Sequence, residues 1–530
     1  MNLLQEDWIT IRRRSGWVEK ISPMRLTANQ DDPAVEVEAP RADFRGAICQ
    51  FLVGLLQTTM APADERAWRG LWDSPPGQDV LSSALESFLP AFELESAGPA
   101  FMQDFDLPMA DPVGIAALLI DAPGEKTIGE NKDHFVHRCS VRGLCEGCAA
   151  VALFTLQINA PSGGQGNRVS VRGGGPLTTL LLPVEAGATL WRKLWLNVLP
   201  ETALGYPVTN DRALVLPWLG KTRTSEPGGV GDTTPDLAHP MQAYWSMPRR
   251  IRLDFAAVDA GVCDLCGLRT ERLLRRYRAK NYGVNYMGAW LHPLSPYNYD
   301  ARGEKPPLAV KGQRGGIGYR HWLGLTLGAN ERVPDAALVV KRYMRQRRTL
   351  PLGAEQARLW CFGYDLDNMK ARCWYDSILP VYGFESDEQR ERFAGTVTDL
   401  LAVADEMAQT LNQSVKQAWF KHPKDRGGEP AVSQSFWQRT ETDFYRCLQQ
   451  LAQADLSGEE VLPPIYRAWL GTVESSAVQL FDEWVLAASV EEKNVARVVK
   501  ARTNLLRQLR GKGEAKRMRE WIKQFEEVEA

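Results

Sequence analysis

The chain has 530 residues, 44% hydrophobic and 24% charged, the composition of a globular protein that buries a large core and divides into two domains or more. A net charge of -2 and a pI near 6.4 exclude polyanion binding by overall charge, so any such surface must come from local segregation of basic residues. The most apolar stretch, residues 47–56, is too short to span a bilayer, which takes about 20 residues; a buried helix and no membrane partner are expected.

In chain order, the opening M-N-L-L-Q-E-D-W-I-T-I has no apolar run followed by a small-residue cleavage site. A reducing, cytoplasmic setting is therefore expected. Residues 1–20 alternate in a strand-like way around Trp8, Ile9, Ile11 and Trp17, and helical spacing follows from Arg41 to about Thr59. From about 120 to 380 the chain is rich in Gly, Pro and short β-branched runs, without the regular strand and long-helix alternation of a doubly wound sheet. Within it, 222–238 reads as a mobile loop.

The pattern changes near Gly383. Ser386 and Gln389 have capping-box spacing, and Phe393, Val397, Leu400, Ala404, Met407, Leu411, Val415 and Ala418 then recur every three or four residues. Similar patterns cover about 433–453, 464–489 and 491–527, with Gly- and Pro-bearing breaks between the first three. The expected fold is α+β: a large mixed N-terminal domain over 1–382, followed by a C-terminal four-helix bundle over 383–530.

Four of the nine cysteines form two C-x2-C pairs, Cys145 with Cys148 and Cys263 with Cys266. Two such knuckles fit one tetrahedral zinc ion, each offering two sulfurs from a tight turn that Gly147 and Gly267 would suit. The alternatives are a redox pair, which would need a thioredoxin-like βαβ pattern that is absent, and unrelated buried thiols. With 114 residues between the pairs, a structural zinc would clip distant segments together and leave no open position for catalysis.

The pairs belong to a longer series: M-N-L-L-x-x-x-W-I at the start, C-E-G-C-A-A-V-A-L-F at 145–154, A-P-S-G-G-Q-G at 160–166 and R-G-G-G-P-L-T-T at 172–179, then C-D-L-C-G at 263–267, W-L-H-P-L-S-P at 290–296 and G-Y-D-L-D-N-M-K at 363–370. In these motifs and their order the chain resembles the large-subunit family (CasA) of the type I-E CRISPR surveillance complex, Cascade. The resemblance implies a non-catalytic subunit that holds the 5′ handle of the guide RNA, detects the protospacer-adjacent motif (PAM) in double-stranded DNA and helps open the duplex. It also implies contact with the other Cascade subunits and a platform for the helicase-nuclease.

Residue by residue, the resemblance puts Phe135, Val136 and His137 in a loop at the RNA handle, where an aromatic ring can stack on an unpaired base; the bland reading is that Phe135 anchors a loop. It puts Ser162, Gly163, Gly164, Gln165 and Gly166 at the minor groove of the PAM, although Ser162 and Gln165 stand where a well-known relative has glycine. Without side chains, backbone can come close to a groove whose base pattern chiefly separates A·T from G·C. A groove-inserting lysine falls at Lys280 or Asn281, of which only Lys280 carries the charge a narrow groove attracts. A wedge that unstacks the duplex falls at Asp367, Asn368 and Met369, with Tyr364 and Asp367 bracing the hairpin tip.

Basic residues cluster at Arg269, Arg272, Arg275, Arg276, Arg278 and Lys280, at Lys341, Arg342, Arg345, Arg347 and Arg348, and over 493–519, where ten Lys or Arg face one acid, Glu514. The last run includes Arg497, Lys500, Arg507 and Arg510, suited to nonspecific contact with DNA phosphates; a solvated helix face is the ordinary alternative. Two other functions compete with the Cascade reading: a zinc-containing RNA-binding or scaffold protein outside CRISPR, and a zinc-dependent nuclease. Six histidines and no H-E-x-x-H motif argue against the nuclease.

Overall fold

The computed structural model describes all residues except 134–135, 210, 301, 329–333, 347–356, 368–369, 423–428, 455, 457, 488–493, 512 and 530. They form two units, Met1–Gly316 with Pro334–Val381 and Ile317–Val333 with Tyr382–Ala530. In the first, the opening alternation becomes β1 (Ile9–Arg13), flanked by antiparallel β2 (Val18–Ile21) and β3 (Ala34–Val37). Ile9 and Ile11 are buried, whereas Trp17 lies in the turn before β2 and is exposed.

The apolar stretch forms α1 (Ala42–Thr59), and because it is apolar nearly all round it lies inside the unit. Its Phe51 ring meets those of Trp8, Phe92, Phe101, Phe154 and Trp245 edge-on, at centroid distances of 5.7 to 6.0 Å, the arrangement aromatic quadrupoles favour. Phe154 comes from α2 (Glu146–Asn159), the second buried helix, which follows β4 (Pro112–Gly114).

Further strands are β5 (Thr178–Leu182), β6 (Asp232–Thr233), β7 (Arg250–Leu253), β8 (Asp259–Val262), β9 (Arg269–Leu273), β10 (Arg276–Lys280), β11 (Asn285–Tyr286), β12 (Ala357–Asp367) and β13 (Lys370–Val381). They form small sheets in the orders β4-β10-β7, β8-β9, β6-β11 and β13-β12-β5, of which only β6-β11 is parallel. The segment 222–238, expected as a mobile loop, is tied down through β6 and through Ser225, whose amide donates to the Tyr282 carbonyl at 3.1 Å.

The second unit is helical: α3 (Asp387–Trp419), α4 (Pro430–Gln453), α5 (Leu462–Leu486), α6 (Val495–Gly511) and α7 (Gly513–Glu529). Ser386 caps α3 by accepting from the Gln389 amide at 3.0 Å, and all eight periodic residues expected on its inner face are buried. The last expected helix, 491–527, is two helices. Gly513 takes φ +66, and Glu406 of α3 accepts the Glu514 and Ala515 amides at 2.7 and 3.2 Å, capping α7 from outside. The segment Ile317–Val333 also belongs to this unit; the Tyr319 hydroxyl meets Thr440 Oγ1 at 2.7 Å and its ring stacks on Phe444.

Candidate nucleic-acid interface

The two cysteine pairs converge. Cys145 is the residue before α2 and Cys148 lies in its first turn, while Cys263 and Cys266 sit in the β8-β9 turn. Their four sulfurs all lie within 4.8 Å of one another, Cys145 to Cys266 at 3.6 Å. A tetrahedral ion with bonds of about 2.3 Å holds its sulfurs about 3.8 Å apart, so the cluster could hold one metal ion with small adjustments. Hydrogen bonds from Cys145 and Cys148 lower the pKa of the Cys266 thiol, while Cys145 and Cys148 themselves are raised, so the cluster shares its protons unequally.

Beside the sulfurs, Asp264 accepts the Arg142 and Gly143 amides at 2.6 and 2.8 Å, a second link between the same segments. Gly267 is in the left-handed region at φ +72, as its knuckle requires. At Gly147, by contrast, a Cβ would make only an ordinary contact with Trp8 at 3.4 Å, and φ is not positive, so its surroundings do not require glycine.

The glycine loop follows α2 and meets the end of β10. The Asn281 side-chain amide donates to the Gln165 carbonyl at 2.9 Å, and the Tyr282 amide donates to the Gly166 carbonyl at 2.8 Å. Gly166 has φ +76, and a Cβ on it would lie 2.9 Å from Asn281 Cβ. A Cβ on Gly163 would have no neighbour closer than 3.8 Å, while the Asn167 side-chain amide donates to the Gly163 carbonyl. Lys280 is exposed, and no hydrogen bond or ion pair joins its side chain to another described residue.

Several residues that sequence reasoning missed hold this junction. Arg168 donates to Ser225 Oγ at 2.7 Å, that hydroxyl donates to the Gly283 carbonyl at 2.8 Å, and the guanidinium lies 5.8 Å from the Tyr282 ring centroid. Arg249 donates to Asn167 Oδ1 and the Pro161 carbonyl, and burial lowers its pKa to about 10. The one local signal was the N-R dipeptide after the glycines; its partners Ser225 and Arg249 lie 57 and 82 residues away.

β12 and β13 form a long hairpin, paired from Ala357 with Val381 to Asp367 with Lys370, with a register shift between Asp365 and Leu366. Asn368 and Met369 lie outside the described residues. Arg372 braces the end by donating to Asp365 at 2.5 Å and Asp367 at 3.3 Å. Tyr364 does not brace the tip: it is buried and donates to Asp43 on α1, because three residues further in the hairpin is already in the core.

The R-G-G-G-P run joins the loop to the hairpin. A Cβ on Gly174 would lie 3.2 Å from Pro161 Cα, and one on Gly175 would lie 2.6 Å from the Leu366 side chain. The Gly175 amide donates to the Asn159 carbonyl at 3.3 Å. Arg172, buried without a carboxylate, donates to Gln50, Thr178 and Ser295, and burial lowers its pKa to about 10.

The remaining sequence candidates are dispersed. Phe135 and His134 lie outside the described residues; Val136 and His137 are exposed. Asp133 and Arg138 pair on either side of them, and Arg138 holds the Asp133 carboxyl well below the usual range. On α6, Lys500, Arg507 and Arg510 are exposed. Arg497 is instead partly engaged, donating to the Ala418 and Trp419 carbonyls at 2.8 and 3.0 Å, where it caps α3.

Residues 2–480 match the family model for CRISPR-associated protein Cse1. The chain belongs to the Cse1 family. Its fold is similar to that of a CRISPR-associated protein from Thermus thermophilus (16% identity, TM-score 0.71, covering 96% of this chain and 99% of that one). It is also similar to Cse1 of Thermobifida fusca (17% identity, TM-score 0.70, covering 96% and 97%). A chain of a CRISPR RNA-guided surveillance complex matches at 15% identity and TM-score 0.66, covering 96% and 99%. Membership of the Cse1 family agrees with the motif resemblance.

Proposed function

We propose that this Cse1 protein is the non-catalytic large subunit of a type I-E CRISPR RNA-guided surveillance complex, reading the PAM of double-stranded DNA through the minor groove. The observation that carries this reading is the junction of the glycine loop with the end of β10, where Asn281 and Tyr282 bind the backbone of Gln165 and Gly166. Those bonds hold the loop's backbone in a fixed shape while Gly163 stays open to a close neighbour. Asn281 acts as the clamp, and Lys280, without a partner among the described residues, enters the groove, where its ammonium donates to base-edge acceptors.

The hairpin end at Asp367, Asn368 and Met369 serves as the wedge, with Arg372 stiffening its rim. Unstacking a base step costs a few kcal/mol, offset by guide-target pairing. Phe135, Val136 and His137 contact the guide handle, Lys500, Arg507 and Arg510 contact phosphates, and the chain presents the platform for the helicase-nuclease. One zinc, held by Cys145, Cys148, Cys263 and Cys266, would fix the turn before α2 to the β8-β9 hairpin. The protein works in the cytoplasm; among the described residues no helix is long and apolar enough to cross a membrane.

The test is reconstitution of the complex with and without this subunit, measuring binding to guide-matched duplexes that carry a randomised flanking motif. Enrichment of particular motifs only when the chain is present is expected. Equal enrichment without it would overturn the reading.

A further inference from the structure

The basic cluster over 269–280 is divided by the structure into two groups. Arg272 pairs with Glu95 and lies 3.4 Å from Glu146, and Arg275 pairs with Asp259 at 2.8 Å. Along β10, by contrast, Tyr277 is buried and Ala279 half-buried, while Arg276, Arg278 and Lys280 are exposed at alternate positions, and so lie on one face of the β4-β10-β7 sheet. Arg276 and Lys280 have no partner among the described residues, and Arg278 has only Asp254, at 3.8 Å.

The adjacent strand reinforces the sign of this face. Arg278 stands opposite Arg252 and Lys280 opposite Arg250. Arg250 is neutralised by Asp104 and Glu226, but Arg252 donates only to the carbonyls of Ser96 and Gly98 and keeps its full charge.

We infer that β10 is a phosphate-binding strand: Arg276 and Arg278 follow one sugar-phosphate backbone of the duplex next to the motif that the glycine loop reads, and lead it toward Lys280 at the groove. Alternate strand residues recur about every 6.8 Å, so successive side chains of the row can each meet a different phosphate of a backbone that runs along it. It ends at Lys280, one residue from the Asn281 clamp, so a backbone laid along it runs into the loop. Base-independent contacts of this kind set register and orientation while the loop supplies selectivity. The inference rests on the DNA reading proposed above.

The experiment uses the complete guide-loaded complex and compares wild type, the double variant Arg276→Gln/Arg278→Gln and the control Arg275→Gln. Duplex affinity is measured across a salt series, with the preferred motif and with a scrambled one. Loss of two phosphate contacts lowers the slope of log affinity against log salt by about 1.8, on both duplexes alike, so the ratio between motif and scrambled affinities stays at the wild-type value; the control keeps the wild-type slope. An unchanged slope in the double variant with motif discrimination intact overturns the phosphate-binding strand alone. Absence of discrimination in the wild-type complex overturns the underlying reading as well. An unchanged DNA slope with weakened assembly on guide RNA would assign the row to RNA and overturn the inference.

Discussion

Asn281 donates its side-chain amide to the main-chain carbonyl of Gln165 at 2.9 Å, across 116 positions of sequence. The contact separates two neighbouring residues by role. Replacing Asn281 with alanine removes one hydrogen bond, typically worth about 1 kcal/mol net, and frees the loop. Motif discrimination by the assembled complex is expected to fall about fivefold, with little change in salt dependence. Lys280→Ala should weaken the motif-bearing duplex more than the scrambled one, because its ammonium donates to base edges, and should also lower the salt slope by about 1. The reverse assignment of effects would exchange clamp and probe.

Two glycines of the same loop give a second test. Gly166 combines φ +76 with a neighbour 2.9 Å from where a Cβ would stand, so Gly166→Ala strains the backbone and pushes Asn281 away, costing about 1 to 2 kcal/mol from conformation alone. Gly163 has a negative φ and no neighbour within 3.8 Å of a Cβ, so Gly163→Ala leaves the fold and the melting temperature unchanged. A motif-binding defect in Gly163→Ala then reports the approach of DNA itself. Normal binding by that variant would show that the groove does not reach this residue.

The sequence patterns carried different amounts of the structure. The inner face of α3 was legible because every third or fourth residue reports the same neighbour, and α1 because an apolar run too short to span a bilayer has to be buried. The four cysteines were legible for a chemical reason, since two C-x2-C knuckles have few other uses. The split at Gly513 was not, because the residue that makes it favourable, Glu406, belongs to another helix. Nor was the bracing of the glycine loop by Arg168 and Arg249, which ordinary periodicity does not mark. The division of the 269–280 cluster depends on acids as remote as Glu95.

For the cysteine cluster, the purified chain is expected to carry about one zinc, measured by elemental analysis. Cys266→Ser should lower zinc content and the melting temperature together, since structural zinc can supply on the order of 10 kcal/mol in small modules. Hydrogen exchange should rise first at residues 142–148 and 259–273. A full-length chain that holds no metal and melts identically with and without a chelator would show that the sulfurs are packed thiols.

The hairpin makes a kinetic prediction. Arg372 holds Asp365 and Asp367 at the rim, so the end is braced before DNA arrives. Asn368→Ala is expected to slow strand opening, followed by a fluorescent base analogue beside the motif, several-fold while initial capture changes less than twofold. Arg372→Ala should give a weaker version of the same split. Equal loss in capture and opening would remove the wedge role from this hairpin.

Within the helical unit, Asp399 lines a cavity of about 660 Å³ with Tyr466, Glu514 and Trp521. Burial raises its carboxyl pKa, and Glu514 adds repulsion, against the hydroxyl of Tyr466, which donates to Asp399 at 3.0 Å. A carboxyl raised in the folded state binds more protons there than when unfolded. Its contribution to stability is therefore most favourable below the ordinary carboxylate range and is lost as pH rises through the folded value. At neutral pH the full penalty is present. Asp399→Asn keeps an acceptor for Tyr466 and removes the charge, so the melting temperature should rise at pH 7, and the difference from wild type should shrink as pH falls toward 4. A variant that is less stable than wild type at pH 7 would mean that the ionised carboxylate is needed there, as it would be if the cavity binds a cation.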